Sequence, residues 1–159
     1  IFNRHLTQKT AKKADLIISF GYKRVISKRI LNSVKRPIIN LHISYLPYNK
    51  GASPNFWSFV DNTPKGVSIH EINENIDGGP LIVRKKVSFS NLKKQTLEST
   101  YKILFKEIEN LFIRNFSNIL KGKYKKKYLK SKGTIHYKKD LPREIKSWKI
   151  KISDLKQTL

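Results

Sequence analysis

The run Pro37-Ile38-Ile39 leads straight into Asn40-Leu41-His42, and this junction limits the fold more than any other stretch of the chain. A short apolar run of this kind suits a strand buried on both faces, as in a parallel sheet covered by helices. In extended backbone, positions i and i+2 point to one side. Asn40 and His42 are therefore expected to share a cleft at the strand's end, where open α/β sheets place their ligands. Further on, Asn75-Ile76-Asp77-Gly78-Gly79-Pro80 sets a carboxylate on a loop between two strand-like runs. Its two consecutive glycines free the backbone to approach a ligand. An Asn, a His and an Asp are enough for acyl transfer without a covalent intermediate: a donor for the oxyanion, a proton carrier and a group that orients the carrier.

The rest of the chain reads as alternating elements. Residues 2–14 end as a helix, and Asp15-Leu16-Ile17-Ile18-Ser19-Phe20 is a second apolar strand. A doubly wound sheet needs an earlier strand and helix, so an N-terminal portion is expected upstream of this chain. Residues 27–34 resume a helical pattern with Ile26, Ile30 and Leu31 on one side. Ser53-Pro54 is a helix-start signal, a capping residue before Pro at the first helical position, and the helix carries Phe56, Trp57 and Val60 inward. Gly66-Val67-Ser68-Ile69-His70-Glu71-Ile72 alternates like a strand with Val67, Ile69 and Ile72 as the buried set, which puts His70 on the exposed or cleft side. Leu81-Ile82-Val83 begins the next strand. Between positions 96 and 120 apolar residues recur at helical spacing, and Gly122 can end that long amphipathic helix. Residues 1–122 form the core of this reading, and 123–159 a short basic extension packed on or near it.

With 159 residues the chain is the size of one domain and can bury a core. It has no Cys, which excludes disulfides and thiolate metal sites. The four His lie far apart without ligand spacing, so no metal site is expected. There is no phosphate-binding P-loop or dinucleotide fingerprint, which sets aside phosphoryl and hydride transfer. No apolar run approaches a membrane span and no signal-peptide pattern is present, so a cytoplasmic protein is the expectation. The formal net charge of +23 would draw a polyanion or a phosphorylated substrate. Its dominance by Lys beside frequent Ile and Asn equally suits AT-rich coding and a solvated surface.

Asn40-x-His42-x-Ser44-x-Leu46-Pro47-x-x-x-Gly51, followed by a hydrophobic strand and the Asp77 loop, resembles the folate-dependent formyltransferases. These enzymes move a formyl group from 10-formyltetrahydrofolate to an amine. The similarity runs in register from about Asp15 to Val87; Ile43 stands where Pro is frequent and Gly78 where Thr is frequent. The resemblance implies a Rossmann-like α/β fold, a mostly parallel sheet flanked by helices. It implies Asn40, His42 and Asp77 as the catalytic set, with the division of proton transfers between His42 and Asp77 left open. The loop Phe20-Gly21-Tyr22-Lys23-Arg24-Val25-Ile26 resembles the one that holds the folate pterin. Tyr22, Val25 and Ile26, with Ile76 and Gly78 from the Asp77 loop, are the donor-binding expectation.

Within that family, Tyr48-Asn49-Lys50-Gly51-Ala52 and Pro54-Asn55-Phe56-Trp57-Ser58 are most similar to the nucleotide-sugar N-formyltransferases, as is the Gly133-Thr134-Ile135-His136 segment. Tyr48, Lys50, Gly51 and Trp57 are accordingly the acceptor-binding expectation, and His136 a candidate wall of the same pocket. A basic face suits a pyrophosphate. The tail is too short for the C-terminal domain of the methionyl-tRNA enzymes, which leaves tRNA as the alternative acceptor. The resemblance also admits a homodimer, and no membrane partner. A reading of another class is a non-catalytic nucleic-acid-binding module, with Lys123-Tyr124-Lys125-Lys126-Lys127-Tyr128 interleaving aromatics and cations. That reading leaves Asn40, His42 and Asp77 without a purpose.

Overall fold

In the computed structural model, which describes residues 5–155, the apolar runs become adjacent strands. β1 (Ile18–Phe20) lies parallel to β2 (Ile39–His42), with Ile18 opposite Ile39 and Phe20 opposite Leu41. After a second, very short strand segment, β3 (Lys50–Gly51), and a helix, β4 (Gly66–Glu71) runs antiparallel to β2, and β5 (Leu81–Lys86) antiparallel to β4. The sheet order is β1-β2-β4-β5. The α/β, Rossmann-like class holds, and the parallel expectation holds for the β1–β2 pairing. The β2–β4 and β4–β5 pairings are antiparallel; for β4–β5 the reason is local, because the stretch from 72 to 80 is too short for the crossover that a parallel pairing needs.

Helices cover this sheet. α1 (Gln8–Lys13) and α2 (Lys28–Leu31) precede β2; the part of the first expected helix that falls on residues 2–4 lies outside the described residues. α2 is shorter than the pattern over 27–34 implies. It ends at Asn32, and the Ser33 hydroxyl then bonds the Ile30 carbonyl at 2.8 Å. α3 (Pro54–Val60) starts where Ser53-Pro54 signals it, but Ser53 is left-handed, with φ of 50°, and makes no side-chain cap. Pro54, whose missing N–H costs nothing in the first turn, sets that start.

The long helix α4 (Leu97–Lys121) is bounded as its sequence implies. Thr96 and Ser99 form a reciprocal capping box, and Gly122 adopts the left-handed cap. Its inward stripe of Leu104, Ile108 and Ile119 packs with Ile39, Leu41, Val67 and Ile69 as the main core.

All six residues of β4 are buried, which the apolar/polar alternation concealed. Val67 and Ile69 belong to the core under α4, whereas Ser68 and His70 lie on the opposite face under the loop after β2. Ser68 donates to the Ser44 carbonyl at 2.7 Å and accepts from the Leu46 N–H at 3.0 Å. Buried polar side chains satisfied in this way cost little. Ile72, expected in the buried set, lies beyond the strand and is half-buried.

The segment after α4 is woven into the molecule. Lys127 exchanges backbone hydrogen bonds with Leu81, at 2.8 and 2.9 Å. β6 (Ile135–His136) pairs in parallel with β3. Leu141, Ile145, Ile150, Ile152 and Leu155 then join Phe56 and Leu97 in a second apolar cluster.

Candidate active site

β2 delivers Asn40 and His42 to the same side, and its antiparallel register with β4 sets His70 directly opposite Asn40 and Ser68 opposite His42. Asp77 reaches them from the loop between β4 and β5, held in a left-handed conformation with φ of 44°. The Asn40 amide nitrogen lies 3.1 Å from Asp77 Oδ1 and 3.1 Å from His70 Nε2. Asp77 Oδ2 accepts the backbone N–H of Gly51 at 2.8 Å and lies 3.6 Å from His42 Nε2. Gly51 has a φ of 87°, and a Cβ there would collide with the His136 carbonyl of β6, so the position requires glycine.

His70 takes the cleft side that the alternation allowed, directly opposite Asn40. It is 1% exposed, and its Nδ1 lies 2.7 Å from the Glu71 carbonyl oxygen. A carbonyl can only accept, so Nδ1 carries a proton, while Nε2 faces both the Asn40 amide and Asp77 Oδ1, 3.4 Å away. The same logic fixes His42: its Nε2 lies 3.1 Å from the Asn49 carbonyl, which puts the proton on Nε2 and the lone pair on Nδ1. A His seven residues before Asp77 was visible in the sequence; only the strand pairing shows that it faces Asn40.

Burial is the largest influence on His42 and lowers its pKa below 6.5. Asp77 pulls it upward, His70 adds to the lowering and the Asn49 carbonyl opposes it. Burial would raise Asp77, but the His42 charge, the His70 hydrogen bond and the Gly51 N–H outweigh it and hold the carboxyl well below the usual carboxylate range. Near neutral pH the cluster therefore holds an ionised carboxylate beside a neutral imidazole with a free lone pair.

The residues expected to bind ligands are placed unequally. Lys50 and Gly78 line a cavity of about 560 Å³ with Asn75, Ile76, Lys130, Lys132 and Tyr137. A smaller pocket joins Asp77 and Gly78 to Lys50, Pro47 and Tyr128. Tyr48 and Trp57 line neither. Trp57 instead stacks on the His136 ring, with centroids 3.9 Å apart and planes within 4°, and His136 Nε2 donates to Asp61 Oδ2 at 2.7 Å. On the donor side the parallel β1–β2 pairing brings the loop after Phe20 to the His42 end of the sheet. Lys28, just beyond that loop, is 3.0 Å from Glu74 of the Asp77 loop. Val25 is 81% exposed and Tyr22 half-buried, whereas Ile26 is buried, so Tyr22 and Val25 are the side chains open to a flat apolar ligand. Gly79, expected to give a ligand room, lies against the Glu71 carbonyl instead. Among the described residues no group of three His, Cys, Asp or Glu is placed to hold a metal ion, and no helix is long and apolar enough to cross a membrane.

Paired strands bring Asn40 and His42 to Asp77 of the β4–β5 loop, and residues 2–115 match the formyl transferase family. The chain belongs to that family. It is 30% identical over 129 residues to the dTDP-4-amino-4,6-dideoxyglucose formyltransferase of Mycobacterium bovis, a match covering 81% of this chain and 53% of that protein. The chain thus spans about half the length of the curated relatives it matches first. A crystal structure of the formyltransferase PseJ from Anoxybacillus kamchatkensis, in complex with UDP-4,6-dideoxy-4-formamido-L-AltNAc and tetrahydrofolate, superposes with a TM-score of 0.87 at 38% identity, over 97% of this chain and 84% of that one. The methionyl-tRNA formyltransferase of Prochlorococcus marinus is 31% identical over 128 residues, 80% of this chain and 38% of that protein.

Proposed function

We propose that this chain carries the catalytic centre of an enzyme that transfers a formyl group from 10-formyltetrahydrofolate to the amine of a nucleotide-linked amino-deoxy sugar. The observation that carries the reading is the joining of Asn40, His42 and Asp77 in one cluster, beside a cavity lined by Lys50, Lys130 and Lys132. The relatives that act on nucleotide-sugar amines support it.

In this reading the folate supplies the activated formyl group and the chain's residues manage charge. Asn40 donates an amide N–H to the oxygen that becomes negative, an effect worth roughly 3 kcal/mol in comparable oxyanion sites. In the structure both amide hydrogens already have partners, Asp77 and His70, so the amide is oriented before substrate arrives and the formyl oxygen takes over one of them. Neutral His42 accepts the proton that the attacking amine must lose. Asp77 stabilises the imidazolium that results, which can return the proton to the folate nitrogen as its bond to the formyl carbon breaks. Tyr22 and Val25 form the folate side of the site, Ile76 and Gly78 border the lysine cavity as well, and Lys50 and Gly51 lie on the acceptor side, where the cavity lysines suit a diphosphate. The reading carries a cytoplasmic location with it, in keeping with a sequence in which no disulfide can form, and admits a homodimer.

The test is a direct comparison using the full-length protein and 10-formyltetrahydrofolate, with several nucleotide amino-sugars set against methionyl-tRNA and a purine-pathway amine. Preferential turnover of a nucleotide amino-sugar is expected. Preferential formylation of the tRNA would overturn the acceptor assignment and turn the charge of +23 into a tRNA-binding feature.

A further inference from the structure

We propose that Glu71 is a positioning residue: it clasps the segment that walls the acceptor cavity to the strand that carries the catalytic cluster. The inference rests on the acceptor assignment above. Glu71 ends β4 immediately after His70, is 5% exposed, and touches three separate parts of the molecule. Its backbone carbonyl accepts from His70 Nδ1 at 2.7 Å. The same oxygen occupies the space that a Cβ on Gly79 would fill, so the end of the Asp77 loop closes down on it. Its carboxylate turns the other way, to the segment after α4, where the Tyr124 hydroxyl donates to Oε1 at 2.8 Å and Lys126 Nζ lies 2.9 Å from Oε1 and 3.0 Å from Oε2.

Three residues beyond Lys126 the cavity wall begins, with Leu129, Lys130, Ser131 and Lys132. At its far end the wall is fastened again. Lys50 N–H donates to the Thr134 carbonyl at 3.0 Å, Ala52 N–H to the His136 carbonyl at 2.8 Å, and His136 meets Asp61. The wall thus spans two clasps, β3–β6 at one end and Glu71 at the other. It also lies outside residues 2–115, the part that matches the family model.

Physics gives the Glu71 clasp its strength. A carboxylate so buried is costly unless it is paired and hydrogen-bonded, and removing one partner leaves an uncompensated charge. Tyr124 keeps the hydroxyl proton that makes this bond, since burial, and Glu71 itself, raise its pKa far above the ordinary tyrosine value. The wall cannot swing away from the cavity without breaking these contacts, and Lys130 and Lys132 keep their distance from Asp77 only while they hold.

The test compares Lys126→Gln, Glu71→Gln, the double variant and Lys126→Arg in the full-length protein. Lys126 is half-exposed, so its Gln variant will fold even where Glu71→Gln does not. With Lys126→Gln, hydrogen exchange at residues 128–132 is expected to accelerate at least tenfold while α4 is unchanged. Affinity for uridine or thymidine diphosphate should weaken about tenfold, and acceptor KM should rise similarly with kcat and folate KM within twofold. Lys126→Arg should restore wild-type values, and the double variant should be no worse than either single one. Unchanged exchange and diphosphate affinity in Lys126→Gln, or strictly additive effects in the double variant, would overturn the clasp. Faster exchange in a protein that binds no nucleoside diphosphate at all would support the clasp and sink the acceptor assignment instead.

Discussion

Asn40 and His70 stand directly opposite each other in the antiparallel β2–β4 ladder, with the amide nitrogen of one 3.1 Å from the imidazole Nε2 of the other. His70 Nδ1 is committed to the Glu71 carbonyl, so Nε2 is the ring atom left to hold the Asn40 amide, beside Asp77 Oδ1 at 3.4 Å. A residue without reaction chemistry of its own thereby orients the amide proposed as the oxyanion donor.

Replacing His70 by Phe should consequently lower kcat about tenfold or more, because the Asn40 amide loses one of the two contacts that orient it. His70→Gln, which keeps an acceptor, should retain more activity. Steady-state kinetics of both variants check this, and equal losses would show that the imidazole merely fills space.

His42→Ala and Asp77→Ala should each reduce kcat by roughly 10²–10⁴, the usual weight of a positioned proton carrier. The melting temperature of each should stay within a few degrees of wild type, since Asp77 borders the smaller pocket and neither residue belongs to the apolar core clusters. A large fall in melting temperature with retained turnover would make them structural residues.

The pH dependence follows from burial. His42 must be neutral to accept a proton, and its pKa lies below 6.5, so the acid limb of kcat/KM should fall with a midpoint below that value. The sign for stability is the same. The unfolded chain binds a proton at His42 more readily than the folded one, so this residue's contribution is lost as pH drops through 6.5 towards the folded pKa. An acid-limb midpoint at pH 7 or above would contradict the neutral imidazole.

Leu155, 3% exposed and packed with Phe56 and Leu97, should cost about 2–5 kcal/mol when replaced by Ala. Denaturant unfolding measures it. A change below about 0.5 kcal/mol would mean that the segment after β6 packs only loosely on the α3–α4 end, since surface substitutions fall in that range.

Much of this molecule was legible in its residues. Thr96, Gly122 and the stripe of Leu104 and Ile108 define α4 through local capping and a helical period, and such signals act within a few residues of the chain. Asn40 and His42 could be set on one face because a strand alternates with period two. Asp77 could be added through family resemblance, long before any distance was known. What the chain order could not reveal was the partner across each strand. The antiparallel register of β4 buried His70 against Asn40, the fold of the loop after β2 covered Ser68, and the return of residues 123–137 turned a charge run into the Glu71 clasp and a cavity wall. Those outcomes depend on contacts between residues tens of positions apart, where burial and hydrogen-bond satisfaction across the fold, rather than local periodicity, choose where each polar side chain points.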